Sequence, residues 1–357
     1  MHLFLSAEES EVFLEAELRR AWPQVSVESL APGLLAADFP WPDENPPLFV
    51  FARQVLPEAR ACLAPSINAW AALLLEAVGA DWKSAPRLPD NQPWQLHIVP
   101  HYGVGSAGQH RCERIRDALD ELLRRKRRHL LRSLRKELGP FTPADSLIQL
   151  LLTGPETGFL SVTAAPQAHE LRRVLSPFPK GELPVASDKA APSRAFAKLV
   201  EAELRLGRRI AAGETCVDLG ASPGSWSYVA LQRGARVQAV DRAPLREDLM
   251  RHPHLIFHQG DAFGFVPDTP VDWLLCDVIA APQRSIDLVL DWVRQRRARH
   301  FVVTIKFKGH EEYAQLEQLK RALPALCEEF GITRLCANKN EACVFGTVGR
   351  EVAEVGR

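Results

Sequence analysis

The 357-residue chain sets 44 Lys and Arg against 44 Asp and Glu, with 46% apolar and 25% charged residues. That length calls for two or three domains, and that balance excludes intrinsic disorder and collagen-like repeats. No run of eighteen apolar residues occurs, which excludes a transmembrane helix, and seven cysteines without a C-x-x-C pair read as reduced thiols rather than a disulfide or zinc framework.

The first residues turn acidic within eight positions, unlike a signal peptide, so the expected compartment is the cytoplasm, with no membrane partner. Residues 1–90 are expected to form a first α+β domain. Val12, Phe13, Leu14, Ala16 and Leu18 lie among acids in an amphipathic helix pattern, and strand candidates follow at 34–39 and 47–56. Residues 91–170 are expected to form a second small domain. It runs from a strand at 94–100 into a long basic helix, then into two apolar strands on either side of Thr153-Gly154-Pro155-Glu156-Thr157-Gly158.

The neutral total hides that basic element. Residues 111–137 carry eleven Lys or Arg against five acids, a local charge of +6 that leaves −6 for the remainder. Apolar Ile115, Leu119, Leu122, Leu130, Leu134 and Leu138 recur near helical spacing, with arginines on the other faces. A solvated surface helix would read similarly, but this density of cations favours phosphate contact. Arg124, Arg125, Lys126, Arg127, Arg128 and Arg132 are the residues expected to make that phosphate contact.

Residues 171–193 read as a linker, because 176–193 holds four prolines among small and polar residues. From 194 the rhythm changes. Short apolar runs at 215–220, 236–241, 255–261, 271–277 and 300–306 alternate with helical or turn segments, the pattern of βαβ units around a parallel sheet. Two more runs, 332–336 and 342–348, are spaced for a hairpin at the sheet edge. The fold class expected for 194–357 is therefore α/β, a Rossmann-like sheet of seven strands with the last antiparallel.

The strongest motif is Asp218-Leu219-Gly220-Ala221-Ser222-Pro223-Gly224-Ser225-Trp226, an apolar strand ending in an acid and a small-residue loop that opens a helix. Its glycines let a ligand approach the backbone, and exposed N–H groups at the helix start favour the ligand's polar end. Neither the third glycine of a dinucleotide fingerprint nor a P-loop lysine is present, so adenosine without phosphates fits best. Asp241, 23 residues after Asp218, ends the second strand where a carboxylate can take both ribose hydroxyls. Asp261 follows the third strand, placed for an adenine edge.

At these residues the chain resembles a class I S-adenosylmethionine-dependent methyltransferase, and D-L-G-x-x-P-G-x-W resembles the ribose 2′-O-methyltransferases of the heat-shock RNA methyltransferase type. The resemblance implies a Lys-Asp-Lys-Glu set, carried here by Lys198, Asp277, Lys306 and Glu341. It implies a cofactor site at Ser193, Gly220, Ala221, Ser222, Pro223, Gly224, Ser225, Trp226, Asp241, Asp261 and Asp277, with no metal. A ribose 2′-OH is a poor nucleophile, so a base helps. A lysine serves only if its pKa falls, which burial and the neighbouring Lys198 cation would do for Lys306.

The order of FARQ, PSRAFAKLVEA and DLGASPGSW along the whole chain is similar to the ribosomal RNA large subunit methyltransferase M family. The family implies a ferredoxin-like segment and a THUMP RNA-binding domain in the first half, S-adenosylmethionine as cofactor, and a cytidine 2′-OH of 23S rRNA as substrate. A monomer would suffice for it. Ser222-Pro223-Gly224-Ser225 stands where the family often has Cys-Pro-Gly-Gly, and Ala195 where it often has Ser, whose contact Ser193 would supply.

Three rival readings are weaker. A base-directed RNA methyltransferase would carry Asn/Asp-Pro-Pro-Tyr/Phe after strand four, where this chain has Asp277-Val278-Ile279-Ala280, or a catalytic cysteine, which Cys276 is placed wrongly to supply. A nicotinamide oxidoreductase lacks its third glycine. A non-catalytic rRNA-binding assembly factor has no need for the four retained residues.

Overall fold

The computed structural model describes residues 1–41, 46–78, 92–103, 106–183 and 185–349, and the chain divides into unit 1, Met1–Leu183, and unit 2, Pro184–Arg357.

Unit 1 opens with β1 (His2–Leu5), α1 (Glu11–Ala21), β2 (Val27–Ala31), β3 (Leu34–Ala37) and β4 (Gln54–Leu56). The four strands form an antiparallel sheet in the order β2-β3-β1-β4. Leu14 and Leu18, one helical turn apart, turn the buried face of α1 inward, while Val12 on the other side is 72% exposed. The apolar run at 47–56 gives a strand only at its end. The N–H groups of Val50 and Phe51 are taken by the buried Glu17 carboxylate, at 3.0 and 3.2 Å, instead of by a neighbouring strand.

A second sheet follows: β5 (Arg60–Leu63), α2 (Ile67–Val78), β6 (Trp94–Pro100), α3 (Ala107–Lys126), α4 (Arg128–Ser133), β7 (Ser146–Leu152) and β8 (Thr157–Thr163), in the strand order β5-β8-β7-β6. The pair β6–β7 is parallel and the others antiparallel. Helices α2 and α3 cover one face through Trp70, Leu74, Ile115, Leu119 and Leu123, all fully buried.

Three boundaries differ from expectation. The sheets change between Leu56 and Arg60 rather than at 90, a position outside the described residues, because β5 pairs with the distant β8. The long basic helix is two helices, broken at Arg127, whose φ −146° and ψ 54° are not helical. The first part of the expected linker packs into unit 1. After the one-turn α5 (Gln167–Glu170), the Gln54 side chain both donates to Ser176 O and accepts from Ser176 N at 2.8 Å, and His97 Nε2 bonds Pro177 O at 3.1 Å.

Unit 2 comprises α6 (Phe196–Leu206), β9 (Thr215–Leu219), α7 (Ser225–Gln232), β10 (Arg236–Asp241), α8 (Glu247–Met250), β11 (Leu255–Gln259), β12 (Val271–Cys276), α9 (Pro282–Arg294), β13 (Ala298–Lys306), α10 (Leu316–Ala322), β14 (Cys327–Thr333) and β15 (Glu341–Val348). Its sheet has seven strands in the order β11-β10-β9-β12-β13-β15-β14. The first five are parallel, and β15 runs antiparallel to both its neighbours. The fold is thus the α/β class read from the sequence. The hairpin's first strand lies five residues upstream of its expected start, at Cys327 rather than Ile332. Strand order reverses between β9 and β12, which opens a crevice at their carboxyl ends, the place where such sheets bind ligands.

Candidate active site

The loop from β9 to α7 is shaped by two glycines. Gly220 has φ +73° and lies against β12's extension, where an added Cβ would come within 2.9 Å of Val278 Cβ. Gly224 has φ +107°, and a Cβ there would come within 2.4 Å of Leu249 Cδ1. A side chain at either place would sit in the left-handed region that favours glycine, and at Gly220 it would also press on the Val278 backbone.

Carboxylates fix the loop from beneath. Asp218 Oδ2 accepts from Ser227 N at 2.9 Å and Ser227 Oγ at 2.7 Å, tying β9 to the first turn of α7. Burial pushes the Asp218 pKa up to about 7, against the lowering effect of the Ser227 hydrogen bonds. Asp218 is therefore a scaffold for the loop. Asp241 Oδ2 accepts from Ser222 N and its Oδ1 from Ala243 N, each at 2.9 Å, so its carboxylate stands fixed and half-buried at the mouth of β10. Asp261 is exposed, 3.7 Å from the guanidinium groups of Arg242 and Arg284.

The remaining loop residues take different places. Ser222 Oγ donates to Pro244 O at 3.0 Å, Pro223 is exposed and Ala221 buried. Ser193 and Ser225 share a hydrogen bond between hydroxyls at 2.7 Å, and Ser193 Oγ also accepts from Ala195 N at 3.2 Å. Trp226 turns its side chain inward. Its ring is buried in the core and its indole N–H donates to Ala195 O at 2.9 Å, so it locks α7 to the start of α6.

Lys198, Asp277, Lys306 and Glu341 come together as a closed ring. Lys198 projects from the first turn of α6, Asp277 follows β12, Lys306 ends β13 and Glu341 begins β15. Lys306 and Glu341 are direct partners in the β13–β15 register, so the sheet itself sets one side of the ring. Lys306 Nζ donates to Asp277 Oδ1 at 2.6 Å and to Glu341 Oε2 at 2.9 Å. Lys198 Nζ reaches Glu341 Oε1 at 2.6 Å and Asp277 Oδ2 at 3.2 Å. Each ammonium thus spans both carboxylates, and the four formal charges cancel.

A fifth residue joins them. Thr304 Oγ1 donates to Asp277 Oδ1 at 2.6 Å. Sequence reading missed it, since a threonine inside a strand looks like β-branched filler. Its place two residues before Lys306, on the same face of β13, was the available signal.

The ring corrects one expectation. Burial does disfavour the charge on Lys306, but contact with Asp277 and hydrogen bonds to Asp277 and Glu341 outweigh it, and the Lys306 pKa is raised rather than lowered. The expected cation, Lys198, is itself engaged with the same two carboxylates. Burial alone would raise the Glu341 pKa, but hydrogen bonds from Lys198 and Lys306 overcome it and hold the carboxyl at about 2.

Cys276 is fully buried, and burial pushes its thiol pKa up to about 12. It offers no thiolate to a substrate.

Unit 2 thus combines a doubly wound sheet, a glycine-bent loop at its reversal point and an ion ring at the carboxyl end of its strands. Residues 191–343 match the FtsJ-like methyltransferase family. More particularly, the likeness to the ribosomal RNA large subunit methyltransferase M family holds. The chain is 33% identical over 171 residues to the protein of that name from Azoarcus sp. (strain BH72), covering 46% of this chain and 47% of that protein. The protein of the same name from Thauera aminoaromatica is 31% identical over 215 residues, 57% of each chain. That from Laribacter hongkongensis (strain HLHK9) is 40% identical over 137 residues, 37% of this chain and 39% of that one. The matched segments span about half the length of these relatives.

Proposed function

We propose that the chain transfers a methyl group from S-adenosylmethionine to the ribose 2′-OH of a cytidine in 23S rRNA, in the cytoplasm and as a monomer. The observation that carries this reading is the closed Lys198–Asp277–Lys306–Glu341 ring at the carboxyl end of the sheet. The relatives named as large-subunit rRNA methyltransferases support the choice of RNA.

The residues of the crevice suit the cofactor. Its walls are a small-residue loop, a fixed carboxylate at β10 and a second at Asp261, without a P-loop lysine to meet a phosphate. When bound, S-adenosylmethionine supplies an electrophilic methyl group on a sulfonium. Ser193, Gly220, Ala221, Ser222, Pro223, Gly224 and Ser225 would shape its bed, Asp241 would take ribose hydroxyls, Asp261 the adenine edge and Asp277 the end nearest the ring.

Lys306 Nζ would accept the proton of the attacking hydroxyl. At neutral pH Lys306 is protonated in the free protein, so it must first give up a proton. A positive charge bound beside it favours that loss, and raising the pH favours it too. Asp277 and Glu341 hold the amine in one orientation, and Lys198 keeps both carboxylates from pairing with Lys306 alone. Positioning accounts for much of the remaining acceleration.

In unit 1, Arg124, Arg125, Lys126, Arg127, Arg128 and Arg132 are all exposed, and three of them border a cavity of about 740 Å³ between α2 and α3. They would hold the RNA backbone, with 1–170 read as the ferredoxin-like and THUMP-type part of the molecule.

The test is transfer of labelled methyl from S-adenosylmethionine to unmodified 23S rRNA, followed by digestion to nucleosides. Label in 2′-O-methylcytidine, lost in Lys306→Ala, is the expected result. Label on a base would overturn the reaction, and cofactor binding with no label on RNA or pre-ribosomal particles would favour an assembly factor.

A further inference from the structure

Thr304 is fully buried in β13, opposite Cys343 and two residues inward from Lys306 on the same strand face. A buried hydroxyl requires a partner, and valine would fill this place in a strand without one. The partner here is Asp277. Its Oδ1 accepts from Thr304 Oγ1 at 2.6 Å, from Lys306 Nζ at 2.6 Å and from Lys198 Nζ at 3.3 Å. Oδ2 takes Lys198 at 3.2 Å. Three donors therefore converge on one oxygen. Each added donor draws on the same negative charge and weakens the oxygen's hold on the others.

We propose that Thr304 is a positioning residue: its hydroxyl fixes the rotamer of the Asp277 carboxylate and tempers the pull of that carboxylate on the Lys306 proton. The catalytic consequence rests on the 2′-O-methyl transfer proposed above. The titratable groups facing Lys306 are Asp277 after β12, Glu341 on β15 and Lys198 on α6. Of these, Thr304 bonds Asp277, the acceptor closest to Lys306 Nζ. Removing the hydroxyl leaves the Oδ1 charge more fully available to the ammonium. Lys306 then gives up its proton less readily.

Two variants test this. Thr304→Val keeps the shape and strand propensity and removes the hydroxyl, while Thr304→Ser keeps it. The first readout is the titration of Lys306 followed by NMR of lysine side chains, tractable because the chain has ten lysines and assignable with Lys306→Arg. In Thr304→Val the Lys306 transition moves to higher pH, and Thr304→Ser returns it towards wild type. The second is the pH profile of methyl transfer, where Thr304→Val loses roughly tenfold in kcat at neutral pH and recovers as pH rises. S-adenosylmethionine affinity, measured by calorimetry, stays as in wild type. A Thr304→Val protein with a lower Tm but an unmoved Lys306 titration would overturn the proposal. Should valine prevent folding, Thr304→Ala serves with the same readouts. The titration is read on the protein alone, so absence of 2′-O-methyl transfer in wild type would defeat the proposed reaction while the Lys306 shift still decided the role of Thr304.

Discussion

Lys198 and Lys306 are enclosed between two carboxylates in unit 2, whereas the cations from Arg124 to Arg128 stand exposed around the junction of α3 and α4 in unit 1. The two arrangements use positive charge for opposite ends. An enclosed pair is shielded from salt and holds one geometry, at the cost of desolvation. An exposed cation holds no geometry of its own and is screened, but a polyanion can reach it. Even within the basic segment the difference appears: Arg135 pairs with the buried Asp145 at 2.8 Å, and Arg116 donates to Leu96 O at 2.8 Å, so both are tied to partners within the fold. Charge density along a sequence therefore overstates the part available to a polyanion.

Asp277→Ala breaks the enclosed arrangement most severely. It leaves Lys198 and Lys306 sharing a single carboxylate, and methyl transfer should fall by about 10²–10⁴, the range for losing acid–base function. Calorimetric unfolding should show a loss of about 3 kcal/mol, the lower end for stranding a buried charge, since part of the ring meets solvent.

The exposed arrangement should yield more gently. Replacing Arg124, Arg125, Arg127 and Arg128 with alanine should weaken RNA binding by at least tenfold at low salt and flatten its salt dependence, by about 0.7 in log–log slope per lost single-strand contact. Cofactor affinity should not change. Filter binding across a salt series reads both effects, and an unchanged RNA affinity would remove these arginines from the interface.

Asp218 sharpens the comparison from a third side, as a buried charge with hydroxyl and backbone partners in place of a cation. Its folded pKa, about 7, lies above the ordinary carboxylate value of 3.8. Ionisation therefore costs stability. The contribution is fully favourable below the unfolded value and is lost as pH rises towards about 7. Asp218→Asn should flatten the fall in Tm across that window, with a smaller effect than either preceding change.

Unit 2 was the more legible half, because parallel strands buried on both faces announce themselves as short apolar runs. The Gly220–Gly224 loop and the ring residues sit at strand ends, which such runs locate. Thr304 was hidden because its role depends on Asp277, 27 residues away. The partner of the Trp226 side chain was hidden too, because the motif gives its position but not the Ala195 carbonyl that claims its N–H. In unit 1, α2 escaped notice because Asn68 and Glu76 are its only polar residues, so its exposed face differs little in composition from its buried one. Strand β5, with three of its four residues exposed, carried no apolar alternation at all, and its pairing with β8 is a long-range event no local pattern records.

The position of β15 bears on how the protein is assembled. It follows β14 in the chain yet lies inside the sheet, between β14 and β13. Without it, β13 would be an open edge carrying Phe301, Val302 and Val303, the kind of strand that invites pairing with another molecule. Glu341, its first residue, brings the second carboxylate to the lysines in the same movement. The strand that completes the ring of four charges is thus also the one that covers the edge of β13.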